Sequence, residues 1–329
     1  MYALVQYKSF LKHMNNHHKN ELAKIIATGN ITYDVPLAPL TSIKIGGKAD
    51  VCIKTHDEHE IAQIVGYASD KHIPLYILGG GSNVVFADEG YRGILLKLST
   101  DKECIERDTS TCRITFPSGY ISHLAAIRTV HYGCRGFEGM YGLPGTIGGA
   151  LYMNSKWPAG HFTTADRLLS IVYLTEDGIT ITLSKDELKF SYGFSQLQKR
   201  TGIVLSATFQ FELDNSKDIQ HKCDLVMKYR KETQPMGVRT AGCIFKNISI
   251  EEQKKEGLPT RSAGYLIDKC GLKGERRNGL VISEKHANFF INEKSATAKD
   301  FIYLKEKVKD RVYNQFHVSL REEVLVVQS

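Results

Sequence analysis

Two glycine-rich stretches hold the residues best placed for chemistry: Gly79-Gly80-Gly81-Ser82-Asn83, and Gly142-Leu143-Pro144-Gly145-Thr146-Ile147-Gly148-Gly149-Ala150. Three consecutive glycines strip a turn of every Cβ, so main-chain N–H groups can converge on a ligand without obstruction. Amides gathered in this way make a concave anion site suited to a pyrophosphate. Ser82 and Asn83 add short polar side chains able to bond phosphate oxygens or to brace the turn. One Gly-rich turn between strands is commonly no more than a turn. A second in the same half of the chain strengthens the ligand reading. There, Pro144 and the flanking glycines predict a backbone that is not regular helix and is free to lie against a flat ring or a phosphate.

Neither stretch is a common nucleotide motif. A G-x-G-x-x-G register starting at Gly79 needs glycine where Val84 stands, and a helix should follow, not a strand. Gly46-Gly47-Lys48 runs into Ala49, so the magnesium-binding hydroxyl of a P-loop is missing. A dinucleotide bound here is held in some other way.

The elements that must position these stretches follow from periodicity and punctuation. Leu75-Tyr76-Ile77-Leu78 and Val84-Val85-Phe86 predict strand, tight turn, strand around the first stretch. Residues 1 to about 30 read as a polar helical extension anchored by Phe10, Leu11, Leu22, Ile25 and Ile26. A strand is expected over Ala49 to Lys54. Asp57 with Glu60 makes a capping-box-like start for a helix with Ile61, Ile64, Val65 and Ala68 on one stripe. Further strands are predicted at Ile94 to Leu98 and Arg113 to Phe116, then a helix from Ile121 to His131 stopped by Gly133. Glu176-Asp177-Gly178 joins two strands as a hairpin, and the alternation from Ile203 to Leu213 closes the large domain. Beyond it come a helix from Asp218 to about Lys231, a loop over Gln234 to Asn247, and a helix from Gly264 to Lys269. Strands are predicted at Gly279 to Ile282, Asn288 to Ile291 and Val324 to Val327. Thr297 and Asp300 cap a helix striped by Phe301, Leu304, Val308 and Val312. Mixed strands and helices without regular βαβ alternation point to the α+β class.

With 329 residues, 42% hydrophobic and 24% charged, the chain has room for two or three globular domains. No apolar run approaches the ~20 residues of a membrane span, and the basic N-terminus lacks the apolar core of a signal peptide. A cytoplasmic protein without a membrane partner is expected. Cys52, Cys104, Cys112, Cys134, Cys223, Cys243 and Cys270 form no C-x-x-C pair, which argues against a disulfide framework and a metal site. The net charge of +7 comes from scattered lysines and arginines, not from a stripe interleaved with aromatics. It suits a polyanionic small substrate such as a nucleotide diphosphate better than a nucleic acid.

Ile77 to Phe86, Gly142 to Asn154, Gly242 to Asn247 and Gly279 to Asn292 resemble the UDP-N-acetylenolpyruvoylglucosamine reductase family. The likeness runs from about Thr41 to Val327 and includes Arg230 to Pro235, Ser262-Ala263-Gly264 and Lys285-His286-Ala287 in the family's order. Its spacing looks like the shorter, type II branch. The resemblance implies a two-lobed FAD-binding domain of the vanillyl-alcohol-oxidase (PCMH) type over residues 31–213, after an extension over 1–30. A substrate-binding α+β domain over 214–329 follows. Gly79, Gly80, Gly81, Ser82 and Asn83 would hold the FAD pyrophosphate; Gly142, Pro144, Gly145, Thr146, Gly148, Gly149 and Ala150 would line the flavin. NADPH would reduce FAD, and hydride would then pass to the enolpyruvyl double bond of a UDP-sugar, making a peptidoglycan precursor. No obligate protein partner is implied.

That reaction needs a proton donor and groups that stabilise an enolate. Where the family's G-S-x-F-K motif has its serine donor, Gly242-Cys243-Ile244-Phe245-Lys246 has a cysteine. A thiol of reference pKa ~8.5 is a far better acid than a hydroxyl. Glu323 matches the assisting glutamate. Tyr192 is implied at the substrate, and Arg230, Lys246 and Asn247 are candidates for its diphosphate, an anion that Arg and Lys suit. His286 matches a family block and is read as structural. Two departures stand out. The family's Tyr-Arg pair becomes Tyr192-Gly193, which removes a charge, and N-A-G-A-Y-G becomes Asn154-Ser155-Lys156-Trp157-Pro158-Ala159-Gly160. Lys156, Lys189 and Arg167 are the candidates to replace the lost charge. The departures motivate a competing reading, a diverged relative that keeps the FAD fold but takes another substrate or binds without turnover.

Overall fold

In the computed structural model, which describes residues 4–5, 14–26, 30–98, 102–108, 110–157 and 162–328, the chain divides into two units woven from separated stretches. The first takes Met1–Val35, Ala49–Gly80 and Arg92–Tyr229; the second takes Pro36–Lys48, Gly81–Tyr91 and Arg230–Ser329.

The first unit carries two main sheets. One runs in the order Leu4–Val5, Leu75–Ile77, Tyr91–Leu98, Lys48–Thr55, Ile31–Pro36. Its Leu75–Ile77 and Tyr91–Leu98 strands are parallel. The helix Glu58–Asp70 buries the predicted stripe Ile61, Ile64, Val65 and Ala68. Asp57 caps its start as expected, through a relay of bonds. Asp57 Oδ1 accepts from the His59 and Glu60 amides, while the Asp57 amide donates to Thr55 Oγ1 and that hydroxyl to Glu60. The other sheet runs Thr180–Ser184, Leu168–Thr175, Gly202–Leu213, Thr111–Pro117, Cys104–Arg107, all antiparallel. The expected hairpin is present, with Gly178 at φ 78° and its amide on the Thr175 carbonyl. Phe116, Phe137, Phe209 and Phe211 are buried and meet ring to ring at this sheet. The helices Ser122–His131 and Ile147–Met153 complete the unit's central part.

The second unit is built on an antiparallel sheet in the order Thr240–Cys243, Phe289–Asn292, Leu280–Ile282, Arg276–Arg277. The helix Ala298–Phe316 has the predicted capping box, with Thr297 and Asp300 exchanging side-chain and backbone bonds. Its stripe Phe301, Leu304, Val308 and Val312 is fully buried among Val85, Ile244, Phe245, Leu266 and Phe290. Each such side chain stabilises by ~1.5–3 kcal/mol on burial. Val84–Phe86 pairs in parallel with Leu325–Val327, so the strand after the first Gly-rich turn does not pair with the strand before it.

Several expectations are corrected. The N-terminal helix covers Asn16–Ile25, while Leu4–Val5 is a strand paired with Leu75–Tyr76; Phe10 and Leu11 lie outside the described residues. Thr240–Cys243 is a strand within a span expected to be loop. Its register shifts at Gly242, whose φ of 79° bulges the chain and breaks the alternation. The strand Ile31–Pro36 and the helix Ile250–Lys255 had no matching expectation. Among the described residues no helix is long and apolar enough to cross a membrane, and none group as a metal site.

Candidate active site

Of the first Gly-rich turn, Gly79 and Gly81 are buried and Gly80 is exposed. Among the described residues, the amides of Gly79, Gly80 and Gly81 donate to no group of the chain. Unpaired buried main-chain donors are rare, so the Gly79 and Gly81 amides call for an acceptor from outside the chain, with the exposed Gly80 amide between them. The two Gly-rich stretches meet, because a Cβ on Gly80 would stand 2.5 Å from Gly145 Cα. Gly81 is at φ 65° and faces the Leu40 carbonyl so closely that a Cβ has no room. The missing side chains thus serve close backbone approach as well as an open cradle. Asn83 braces the turn, donating Nδ2 to the Glu323 carbonyl at 3.0 Å while its own carbonyl accepts from the Leu325 amide.

The second stretch departs from its expectation, for Gly148, Gly149 and Ala150 lie in the helix Ile147–Met153. Pro144 stands clear of the helix, and Thr146 caps it by accepting from the Gly149 amide. The Ile147 and Gly148 amides donate to the Tyr120 and Ser118 carbonyls at 2.8 and 2.9 Å. These partners overrule the poor helix propensity of glycine. Upstream, the Gly142 amide donates to His123 Nδ1 at 3.0 Å; burial holds that imidazole below its ordinary pKa. Ser118 and Ser122 are buried beside this stretch, their hydroxyls without a partner among the described residues, and the Ser122 amide donates to the Gly145 carbonyl. Neither serine carried a sequence signal. Unpaired amides, a cradle with no room for Cβ atoms and two partnerless hydroxyls fit a polar dinucleotide such as FAD.

Tyr192 belongs to the first unit, at the tip of a turn closed by paired Ser191–Phe194 bonds, with Gly193 at φ 60°. Asn154, itself left-handed, donates Nδ2 to the Ser191 carbonyl at 3.0 Å and fixes the turn to the end of the helix Ile147–Met153. Lys156 Nζ lies 3.2 Å from the centroid of the Tyr192 ring. Of the three candidate replacement cations, Arg167 is bonded to Glu212 and Lys189 is exposed with φ 42°. Lys156 alone of these is brought to Tyr192. Pro158, Ala159 and Gly160 of the same loop lie outside the described residues.

Cys243, Lys246, Asn247, Arg230 and Glu323 belong to the second unit. Cys243 ends its strand opposite Phe289 and is partly buried. The next residue joins it to Glu323, since the Ile244 carbonyl accepts from the Glu323 amide at 2.8 Å and from the Val324 amide at 3.3 Å. The Lys246 amide donates to the Arg321 carbonyl at 2.8 Å. Cys243, Lys246 and Glu323 therefore sit on chain segments laced together by main-chain bonds. Neighbouring Glu322 is the structural carboxylate, paired with Lys305 and Lys309. Asn247 Oδ1 accepts from the Ala263 amide at the start of the helix Ala263–Lys269, so part of its bonding capacity is structural. Arg230 is buried, which lowers its pKa from the ordinary guanidinium value. His286 is likewise held below its ordinary value by burial, and its Nδ1 accepts from the Asn288 amide. Gly264 leaves the space this ring needs, since a Cβ there would lie 2.8 Å from His286 Cε1.

Comparison with known proteins identifies both domains. Residues 49–184 match the model of an FAD binding domain, and residues 234–327 that of the UDP-N-acetylenolpyruvoylglucosamine reductase C-terminal domain. The reductase of Lachnoclostridium phytofermentans is 35% identical over 95% of this chain and 98% of its own. That of Bacillus velezensis is 36% identical over 91% of this chain and 94% of its own. The crystal structure of the Thermus caldophilus enzyme, 28% identical, superposes with a TM-score of 0.73 over 90% of this chain and 97% of that one. Matched over nearly its whole length by these relatives, this chain belongs to the UDP-N-acetylenolpyruvoylglucosamine reductase family.

Proposed function

We propose that the chain is the FAD-dependent oxidoreductase that uses NADPH to reduce the enolpyruvyl group of UDP-N-acetylenolpyruvoylglucosamine to UDP-N-acetylmuramate, a step of peptidoglycan precursor synthesis. Bound FAD supplies the hydride chemistry between NADPH and the enolpyruvyl carbon. The amides of Gly79 to Gly81 would hold its pyrophosphate, and Gly142 to Ala150 would line its ring. Residues 31–213 form the FAD-binding domain and 214–329 the substrate domain. Cys243 gives the proton that completes reduction of the double bond, and Glu323 supports it. Lys246, Asn247 and Arg230 bind the diphosphate, where fixed cations suit a polyanion. Tyr192 orients the substrate, and Lys156 supplies the positive charge that Gly193 cannot. The reaction belongs in the cytoplasm, where NADPH and nucleotide sugars are made, and no nucleic acid or membrane takes part.

The observation that carries this reading is the bonding of the Cys243-Ile244 segment to Glu323 in a chain of this family. The test is NADPH absorbance with FAD-loaded protein and the UDP-sugar. Substrate-dependent oxidation is expected. Its absence in a fully flavin-loaded sample overturns the reading in favour of a relative with another substrate. Cys243→Ala should leave flavin reduction by NADPH intact and block turnover; equal loss of both half-reactions would count against the donor role.

A further inference from the structure

Asn288 is 2% exposed, and both polar atoms of its side chain are turned on the backbone of one residue, Phe245. Oδ1 accepts from the Phe245 amide at 2.9 Å, and Nδ2 donates to the Phe245 carbonyl at 2.8 Å. Its own carbonyl accepts from the Ile244 amide at 2.9 Å. The ladder between Thr240–Cys243 and Phe289–Asn292 ends at the Cys243–Phe289 pair. Beyond that point a side-chain amide takes over as if it were the next residue of a strand. Phe245 is 1% exposed, so water cannot substitute for either bond. The same short segment bonds, through the Ile244 carbonyl and the Lys246 amide, to Glu323, Val324 and Arg321. Cys243 and Glu323 thus take their positions from one strip of backbone, and Asn288 pins that strip. Asn288 is in turn set by His286, whose Nδ1 accepts its amide at 3.2 Å.

We infer that Asn288 is a positioning residue that sets Cys243 and Glu323 together for proton delivery; this rests on the donor role assigned to Cys243 above. In Asn288→Asp the carboxylate can still accept from the Phe245 amide, but it has no proton for the Phe245 carbonyl. Protonation restores that donor.

The experiment uses FAD-loaded protein and rapid mixing. Flavin reduction by NADPH should stay within about twofold of wild type, whereas reoxidation by the UDP-sugar slows by about 10²-fold, the usual cost of a ~1 Å misplacement. The deficit should shrink as pH falls and the new carboxyl protonates. A second readout needs no turnover. The rate of iodoacetamide alkylation at Cys243 should change in the variant while exposed Cys104 reacts as before. Asn288→Ala, which leaves no charge, carries the same tests should the aspartate variant not fold. Wild-type reoxidation and wild-type alkylation in a folded variant overturn the inference. So does an equal fall in both half-reactions, which marks general loosening. A wild-type enzyme without turnover would instead defeat the proposed reaction, leaving alkylation to decide the role of Asn288.

Discussion

Replacing Gly80 by alanine tests the cradle where its geometry is tightest. The new methyl would stand 2.5 Å from Gly145 Cα, with Gly145 N and C both at 3.2 Å. Carbon atoms settle at ~3.5–4.0 Å, so the two Gly-rich stretches must part by roughly 1 Å. All the nearest atoms are backbone, and no side chain can rotate away. Overpacking of this kind typically costs ~1–3 kcal/mol. The free chain can release that strain by letting the stretches separate, whereas a dinucleotide gripped by both restores it. The strain then falls on binding, and a penalty of ~1–3 kcal/mol weakens FAD by roughly 5- to 150-fold. Titration of apoprotein with FAD, followed by flavin fluorescence, reads the effect directly. Gly66→Ala is the control, because its Cβ would enter open space on the helix Glu58–Asp70; it should bind FAD normally and gain ~0.5–1 kcal/mol in stability. A Gly80→Ala protein that binds FAD like wild type would refute the claim that the two stretches form one cradle.

Lys156→Met should lower the rate of substrate-dependent flavin reoxidation by ~10²–10³-fold, the usual loss for a preorganised electrostatic group, with flavin reduction by NADPH unchanged. Lys156→Arg should retain most of the rate, and a Met variant as fast as wild type removes Lys156 from the site. Stability should also depend on pH through His286. Burial depresses its folded pKa, so the unfolded chain takes up the proton first, and stability present above pH ~6.5 is lost as pH falls below it. A plot of Tm against pH should therefore be shallower between about pH 5 and 7 for His286→Gln than for wild type; parallel plots would show that the ring does not titrate on unfolding.

Much of the scaffold was legible because its signals are local. The stripes of Glu58–Asp70 and Ala298–Phe316, the Thr297 cap and the Glu176-Asp177-Gly178 hairpin all depend on residues within a few turns of each other. The misreadings share a different cause. Glycines at 148 and 149 argue against helix, yet the Tyr120 and Ser118 carbonyls accept the first-turn amides and settle the matter from a distance. Gly242 hid the strand Thr240–Cys243 by bulging it. At the site, the glycine triplet could be read from the residues themselves and the G-C-I-F-K block from its resemblance to the family motif. The ring contact between Lys156 and Tyr192 and the grip of Asn288 on Phe245 could not, because each joins residues that only the fold makes neighbours.

The parallel pair of Val84–Phe86 with Leu325–Val327 has a consequence for biosynthesis. Asn83 and Glu323, bonded at its edge, are 240 residues apart. At ~5–20 residues per second, a ribosome makes the second strand roughly 10–50 s after the first. Throughout that interval an apolar edge made of Val84, Val85 and Phe86 has no mate, which is the kind of surface that chaperones guard and that aggregates recruit. A nascent chain stalled before Leu325 should accordingly stay protease-sensitive around this strand and bind holdases, and release of the final residues should end both.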